Sequence, residues 1–302
     1  MREPTGRQEG NGMFSVEHLN RLRSAELESV LRLLPHRARI LEIGAGTGRQ
    51  TLDLRSRGYD VAPIEITSSK YSSDRLCEIT NYDGRHIPFG DAVSNVVYSS
   101  IVLEHVRDVS LMHTEIRRVL RRGGIAIHVL PTHRWRLWTT ATAFPTALQN
   151  VATLGTELLP RFGRASTEAK RLARAWLRVA LRLAAPFFLQ RRHGERGNVL
   201  SEIWLFHPSW WRKNFADNGF SVEHEEPAGI FYTGYTTMGE RWTIDRRKAL
   251  ARRLGSACQI FVVRPIASRA ASGYAHIQQK RPGQEIDRPG SFLGGDLCQG
   301  NL

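Results

Sequence analysis

The sequence predicts an α/β fold, doubly wound around a mostly parallel seven-stranded sheet, with a helical insertion. Between Arg39 and Leu130, short apolar runs alternate with segments of helical spacing, which is the pattern of strands covered on both faces by helices. Ile125 to Leu130 is almost continuously apolar, as expected for a strand with no face in water. After residue 200 a helix and two strand-like runs resume the alternation. They would complete the sheet after a long detour.

Along the chain, residues 1–12 are polar and read as a disordered tail with no apolar core of a signal peptide. Phe14 to Leu34 carries apolar residues at helical spacing and is stopped by Pro35. Arg39 to Ile43 is the first strand. A short helix, Thr51 to Arg57, follows, closed by Gly58. Tyr59 to Ile66, Ile79 to Asp83 and Asn95 to Ser99 supply the next three strands. Asp108 is an N-cap for a helix reaching about Arg121, which Gly123-Gly124 should end. Ile125 to Leu130 is the fifth strand. A helix near Trp210 to Asn218 precedes a strand from Phe220 to Glu225. A helix at about Arg241 to Leu254 precedes the last strand, Gln259 to Arg264.

The segment with most chemical content is Ile40-Leu41-Glu42-Ile43-Gly44-Ala45-Gly46-Thr47-Gly48-Arg49. Three glycines follow a strand and precede a helix, where the backbone must turn sharply and a ligand can approach without meeting a Cβ. The free N–H groups of the helix that follows suit an anionic or carboxylate-bearing ligand. A dinucleotide fingerprint, Gly-x-Gly-x-x-Gly, would need glycine at 49, where Arg49 stands. The pattern written is Glu-x-Gly-x-Gly-x-Gly. Glu65 closes the second strand, where a carboxylate can accept hydrogen bonds from two ribose hydroxyls. Asp83 ends the third.

With those residues in view, the chain resembles class I S-adenosylmethionine-dependent methyltransferases, in particular the small-molecule group of type 11, over about residues 36–132. Ordered blocks carry the resemblance: Leu41 to Gly48, Ile64-Glu65-Ile66, Asp83 with Ile87-Pro88-Phe89, Val102-Leu103-Glu104-His105-Val106, and Arg118 to Gly124. It implies a Rossmann-like domain, S-adenosylmethionine as cofactor and methyl transfer as activity. It also implies that Gly44, Ala45, Gly46 and Gly48 line the methionine part of the cofactor and that Glu42 supports the loop. Glu65 would hold the ribose and Asp83 with Gly84 would meet the adenine; Ser99 is added at the end of the fourth strand. Pro63 replaces the glycine usual before the second-strand acid, and Asn95 the aspartate usual at the fourth strand.

Methyl transfer from a sulfonium is an in-line displacement, for which a protein supplies positioning and a dry site, and a base only where the nucleophile carries a proton. His105, just past the fourth strand, is the candidate base, with bracing of the loop as the competing role. His133, His193, Glu202, Tyr232 and Tyr235 are candidates for the substrate pocket. Phe231 could join the two tyrosines in an apolar wall. His128 lies inside the fifth strand and reads as a hydrogen-bonded core histidine.

These signals divide the chain into a tail (1–12), a cofactor-binding half (13–132), a basic helical insertion or lid (133–200), a C-terminal part completing the sheet (201–266) and a second disordered tail (267–302). In the insertion, Arg171, Arg174, Arg178 and Arg182 form one stripe and Leu172, Trp176, Val179, Leu183 and Phe187 another. Three readings stay open: a lid with solvated arginines, a helix over 166–189 lying on an anionic membrane surface, and a nucleic-acid surface. The last is disfavoured, since the aromatics sit away from the arginines.

The net charge of +14 points no further than this. Cys77, Cys258 and Cys298 form no CxxC or Cys/His pattern, so neither a disulfide framework nor a metal site is expected. A cytoplasmic protein is expected, with peripheral contact at the inner face of the membrane if the insertion binds lipid. The acceptor is expected to be a small molecule, with a lipid-linked or saccharide compound favoured. A catalytically inactive cofactor-binding scaffold at a membrane and an RNA methyltransferase are the alternatives.

Overall fold

The structure is a computed structural model, described over residues 16–143, 178, 192–234 and 241–266. Its elements run α1 (Val16–Leu31), β1 (Arg39–Ile43), α2 (Arg49–Ser56), β2 (Asp60–Ile66), β3 (Thr80–Tyr82), β4 (Ser94–Ser100), α3 (Val109–Val119) and β5 (Leu120–Pro131). A helix, α4, occupies 133–143. Then come α5 (Ser201–Leu205), α6 (Pro208–Asp217), β6 (Phe220–Pro227), α7 (Ile244–Leu254) and β7 (Cys258–Pro265). The tails at 1–12 and 267–302 lie outside the described residues, and so does the basic stripe of the insertion apart from Arg178. Among the described residues no helix is long and apolar enough to cross a membrane.

The seven strands form one sheet in the order β3-β2-β1-β4-β5-β7-β6. β1 to β5 are parallel, and β7 runs antiparallel to both β5 and β6. The chain order reverses between β1 and β4, so their carboxyl ends open a crevice at the switch point, where ligands of such sheets bind.

Strand alternation divides the core into two layers. Ile40, Val96, Tyr98, Ile127, Val129, Ile260 and Val262 face the layer that includes Leu22, Leu27 and Val30 of α1 and Leu54 of α2. Leu41, Ile43, Val97, Ala126, Leu130, Phe261 and Val263 face Met112, Ile116 and Val119 of α3 and Trp211 and Phe215 of α6. A single-residue slip in β1 or β5 would bring apolar residues to the wrong layer, so the register is strongly fixed.

Helix boundaries follow from their caps. The Asp108 carboxylate accepts from Leu111 N at 2.9 Å, starting α3 as its sequence indicates. The end of α3 differs from expectation. Ala92 N and Val93 N donate to Arg118 O and Val119 O, both at 2.9 Å. Those bonds satisfy carbonyls at the helix end, and the chain enters β5 at Leu120 without a glycine cap. Gly123 and Gly124 serve a bulge between the pairs Ser94↔Leu120 and Val96↔Ile125. A Cβ at Gly124 would sit 2.9 Å from both Arg121 O and Asn95 O. Similarly, Thr243 accepts from Arg246 N at 3.3 Å and starts α7 three residues later than the apolar spacing suggests.

His113 and His128 are fully buried in the α3 and α6 layer. His128 Nδ1 lies 2.8 Å from Ser99 Oγ, and His113 Nε2 lies 3.0 Å from Asn214 Oδ1. Burial lowers His113 to about 4 and His128 to about 3. Both stay neutral in the folded state, whereas the unfolded chain takes up protons below about 6.5. The contribution of these two rings to stability therefore falls as pH drops from about 6.5 towards 4, by roughly 1.4 kcal/mol per pH unit for each ring. His128→Gln should remove its ring's share, so that urea unfolding between pH 7 and 4.5 shows stability falling less steeply, or rising more, in the variant than in the wild type.

Candidate functional site

The glycine loop leaves β1 on two hydrogen bonds, from Gly44 N and Ala45 N to Ile64 O at 2.9 and 3.1 Å. Gly44, Gly46 and Gly48 all have positive φ, at 74°, 58° and 82°, a region L side chains rarely enter. Packing adds its own demand. A Cβ at Gly44 would collide with Val102 Cγ2, and one at Gly48 would meet Cys77 Sγ at 2.6 Å. Beneath the loop, Thr51 Oγ1 of α2 donates to Glu42 at 2.5 Å, joining the strand before the loop to the helix after it. Burial raises Glu42 to about 7, with the Thr51 hydroxyl opposing the shift.

Glu65 closes this side. Its Oε2 accepts from Gly46 N at 2.6 Å and its Oε1 from Ile66 N at 3.0 Å. Asp83 is engaged on both oxygens. Oδ1 accepts from Arg85 N and His86 N at 2.7 Å, and Oδ2 lies 2.8 Å from His86 Nδ1. Those bonds hold its carboxyl well below the usual carboxylate range. Gly44, Gly46, Glu65, Asp83 and Gly84 share a cavity of about 1940 Å³ with His105, His193, Trp135 and Tyr232.

The opposite wall rests on a fully buried carboxylate, Glu104, in the turn after β4. Burial raises it to about 8, and neither of its oxygens has a hydrogen-bond partner among the described residues. His105 Nε2 and His193 Nε2 each lie 3.9 Å from Glu104 Oε1, and the two rings meet edge to face at 4.9 Å. Burial lowers both imidazoles, His193 to about 3. Neutral rings therefore face the cavity at neutral pH.

His193 is held by a second layer. Glu202 Oε1 accepts from His193 N at 2.5 Å and Gly194 N at 2.8 Å, while Arg136 Nε lies 3.1 Å from Glu202 Oε2. Glu195 N donates to Glu104 O at 2.9 Å. Gly194 is needed because a Cβ there would stand 2.8 Å from that same oxygen. The 192–198 loop is thus fixed directly on the turn carrying Glu104 and His105.

Several sequence assignments fall elsewhere. Ser99 is fully buried and bonded to His128, away from the cavity that its neighbour Ser100 lines. Ala45 and Gly48 shape the loop without lining the cavity; Gly48 N donates to Ala45 O at 2.8 Å. The His133 ring lies tilted against His207, with centres 4.6 Å apart, and is outside the cavity walls. Glu202 acts through the loop and not on the pocket. Tyr232 lines the cavity, but its hydroxyl donates to Glu26, accepts from Arg23 and touches Cys258. Phe231 is buried against Trp138, and Tyr235 lies outside the described residues. Arg23 and Leu19 of α1, the Lys70-Tyr71 turn and Trp135, Arg136 and Thr139 of α4 complete the walls. Their sequence carries only helical spacing or turn chemistry, and nothing in it marks a site.

Residues 41–128 match the family described as methyltransferase domain. A bifunctional biotin biosynthesis protein of Cellvibrio japonicus is 30% identical over 117 residues, covering 37% of this chain and 23% of that protein. A sterol 4-C-methyltransferase of Caenorhabditis elegans is 34% identical, covering 28% of each. A malonyl-[acyl-carrier protein] O-methyltransferase of Xylella fastidiosa is 23% identical, covering 39% of this chain and 49% of that one. The chain therefore spans less than half the length of these curated relatives. A crystal structure of an S-adenosylmethionine-dependent methyltransferase from Mesorhizobium loti overlaps 80% of this chain and 97% of its own, at 17% identity and a TM-score of 0.45.

The Arg136–Glu202 pair is almost completely buried, so removing one charge strands the other in a dry interior. Glu202→Gln is expected to cost about 3 kcal/mol in urea unfolding. It should also expose the 192–198 amides, read as faster hydrogen exchange at His193 and Gly194. Unchanged stability and exchange would contradict the second-layer role.

Proposed function

We propose that the chain, whose residues 41–128 match a methyltransferase domain, transfers a methyl group from S-adenosylmethionine to a small-molecule acceptor, with a lipid-linked or saccharide compound favoured. The observation that carries the proposal is one cavity with two unlike walls. A glycine loop and the Glu65 carboxylate line one part of it, and the imidazoles of His105 and His193 with Trp135 line another.

The loop side fits the cofactor. Gly46 borders the cavity with nothing nearer than Tyr71 Cδ2, 3.6 Å from where its Cβ would be, which leaves backbone open to a ligand. Each Glu65 oxygen accepts a backbone N–H and retains a lone pair for a vicinal hydroxyl. When bound, S-adenosylmethionine supplies a methyl group on a positively charged sulfur. The chain's own part is then to hold the acceptor in line and to exclude water. Leu19, Ile101, Val106, Leu111 and Trp135 line the rest of the cavity with apolar surface, which supports an acceptor with a hydrocarbon or ring portion. His105, neutral and at the carboxyl end of β4, stands where it can take a proton from an acceptor hydroxyl or amine.

Two measurements test the proposal. Glu65→Ala should weaken S-adenosylmethionine binding by ~1–3 kcal/mol, the scale of lost hydrogen bonds to a charged group; unchanged affinity in titration calorimetry would remove Glu65 from the cofactor site. Turnover with methyl-labelled cofactor and cell extract fractionated into lipid, glycan and RNA should place label in lipid or glycan. Label in RNA, or none in any fraction, would overturn the acceptor assignment.

A further inference from the structure

We propose that Glu104, His105 and His193 bind a divalent transition-metal ion at the acceptor wall of the cavity. The proposal deepens the methyltransferase reading and rests on it, since the ion would border the cavity proposed to take the acceptor.

The ligand set comes first. Two imidazoles and one carboxylate suit zinc, iron(II), manganese(II) or cobalt(II), and leave further positions open for water or substrate. No two of the ligating atoms here are more than 4.8 Å apart, and each imidazole Nε2 lies 3.9 Å from Glu104 Oε1. Ligands at about 2.0–2.1 Å on a tetrahedral ion stand roughly 3.4 Å apart. Small side-chain movements close the gap, and the partly exposed His105 ring, with 41% of its side chain accessible, has room to make them.

Glu104 is a second and independent observation. A carboxylate with both oxygens buried and without hydrogen bonds is costly to keep, and Glu104 is 1% exposed with neither oxygen bonded. Its oxygens approach two ring nitrogens that border the cavity. A cation between the three groups would satisfy the carboxylate that the protein leaves unpaired. Of the positive charges that act on the three groups, Arg23 lies 2.6 Å from Glu26, Arg136 pairs with Glu202 and Arg196 lies over the Trp210 and Trp211 rings, while Lys70 lies 5.0 Å from the Tyr71 ring centre.

The fold also holds the set together across a long stretch of chain. Glu202 binds the amides of His193 and Gly194, and Glu195 N is bonded to the backbone of Glu104. Such supporting contacts fix the ligands before an ion arrives, as the outer shells of metal sites do. An ion held here would lower the pKa of an acceptor hydroxyl bound at its open position, with His105 then serving as a ligand in place of a base.

The test uses the full chain, freed of metal by chelator, and zinc or cobalt chloride as the probe. Calorimetry should give one strong site per chain, and cobalt should develop visible absorption typical of nitrogen and oxygen ligation. His105→Asn and His193→Asn should each weaken that site by at least about tenfold, a loss as large as removing a supporting contact causes. Glu104→Gln should do the same while thermal unfolding shows the variant folded. Equal affinity in the double variant His105→Asn/His193→Asn would overturn the proposal, as would no binding of either ion to the wild type. Cofactor affinity, measured separately without metal, reports on the glycine loop alone, so failure of the metal site leaves the methyltransferase reading standing.

Discussion

The hydrogen bond from Gly46 N to the Glu65 carboxylate organises the site. It joins the loop leaving β1 to the end of β2 and aligns both with the crevice at the sheet's switch point. The bond requires Gly46 at φ 58° and Gly44 with no Cβ against Val102. It also requires Glu42 and Thr51 to tie the strand to the helix beneath. The loop is thus positioned by packing and by charge together, and it presents backbone where a side chain would obstruct a ligand.

The other wall depends on a different constraint, the cost of burying charge. Glu202 and Arg136 are nearly or fully buried and neutralise each other, and Glu202 spends its remaining acceptor capacity on the amides of the 192–198 loop. That arrangement brings His193 beside His105 and Glu104, residues almost ninety positions earlier. Glu104 has no comparable partner. The contrast between a buried carboxylate paired with an arginine and two amides and one whose oxygens accept no hydrogen bond is what gives this wall its chemical interest.

Much of the architecture is legible in the sequence because it depends on local rules. Apolar runs locate the strands of the sheet, Asp108 marks the start of α3, and the spacing of Gly44, Gly46 and Gly48 with Glu65 indicates a cofactor loop. Direction is less legible: an apolar run such as Cys258 to Val263 does not say whether its strand runs with or against β5. Gly123-Gly124 misleads, because a bulge and a helix cap ask for the same residue. The histidine wall is legible only in part: His105, His193 and Tyr232 stand out in the sequence and line the cavity. Arg23 and Trp135 look like ordinary helical residues, and Glu202 takes its meaning only from the distant amides and arginine it meets. Ser99, expected at the cofactor, is turned by strand alternation towards His128.

On the proposed function, the Gly46–Glu65 corner of the cavity holds the methyltransferase cofactor. A crystal structure of the full chain with S-adenosylhomocysteine tests it most directly. Ribose hydroxyls are expected on the Glu65 carboxylate and the amino acid portion along Gly44 and Gly46, with the sulfur directed towards His105 and His193. Density for the ligand at any other place, or a cavity left empty at saturating ligand, would contradict it.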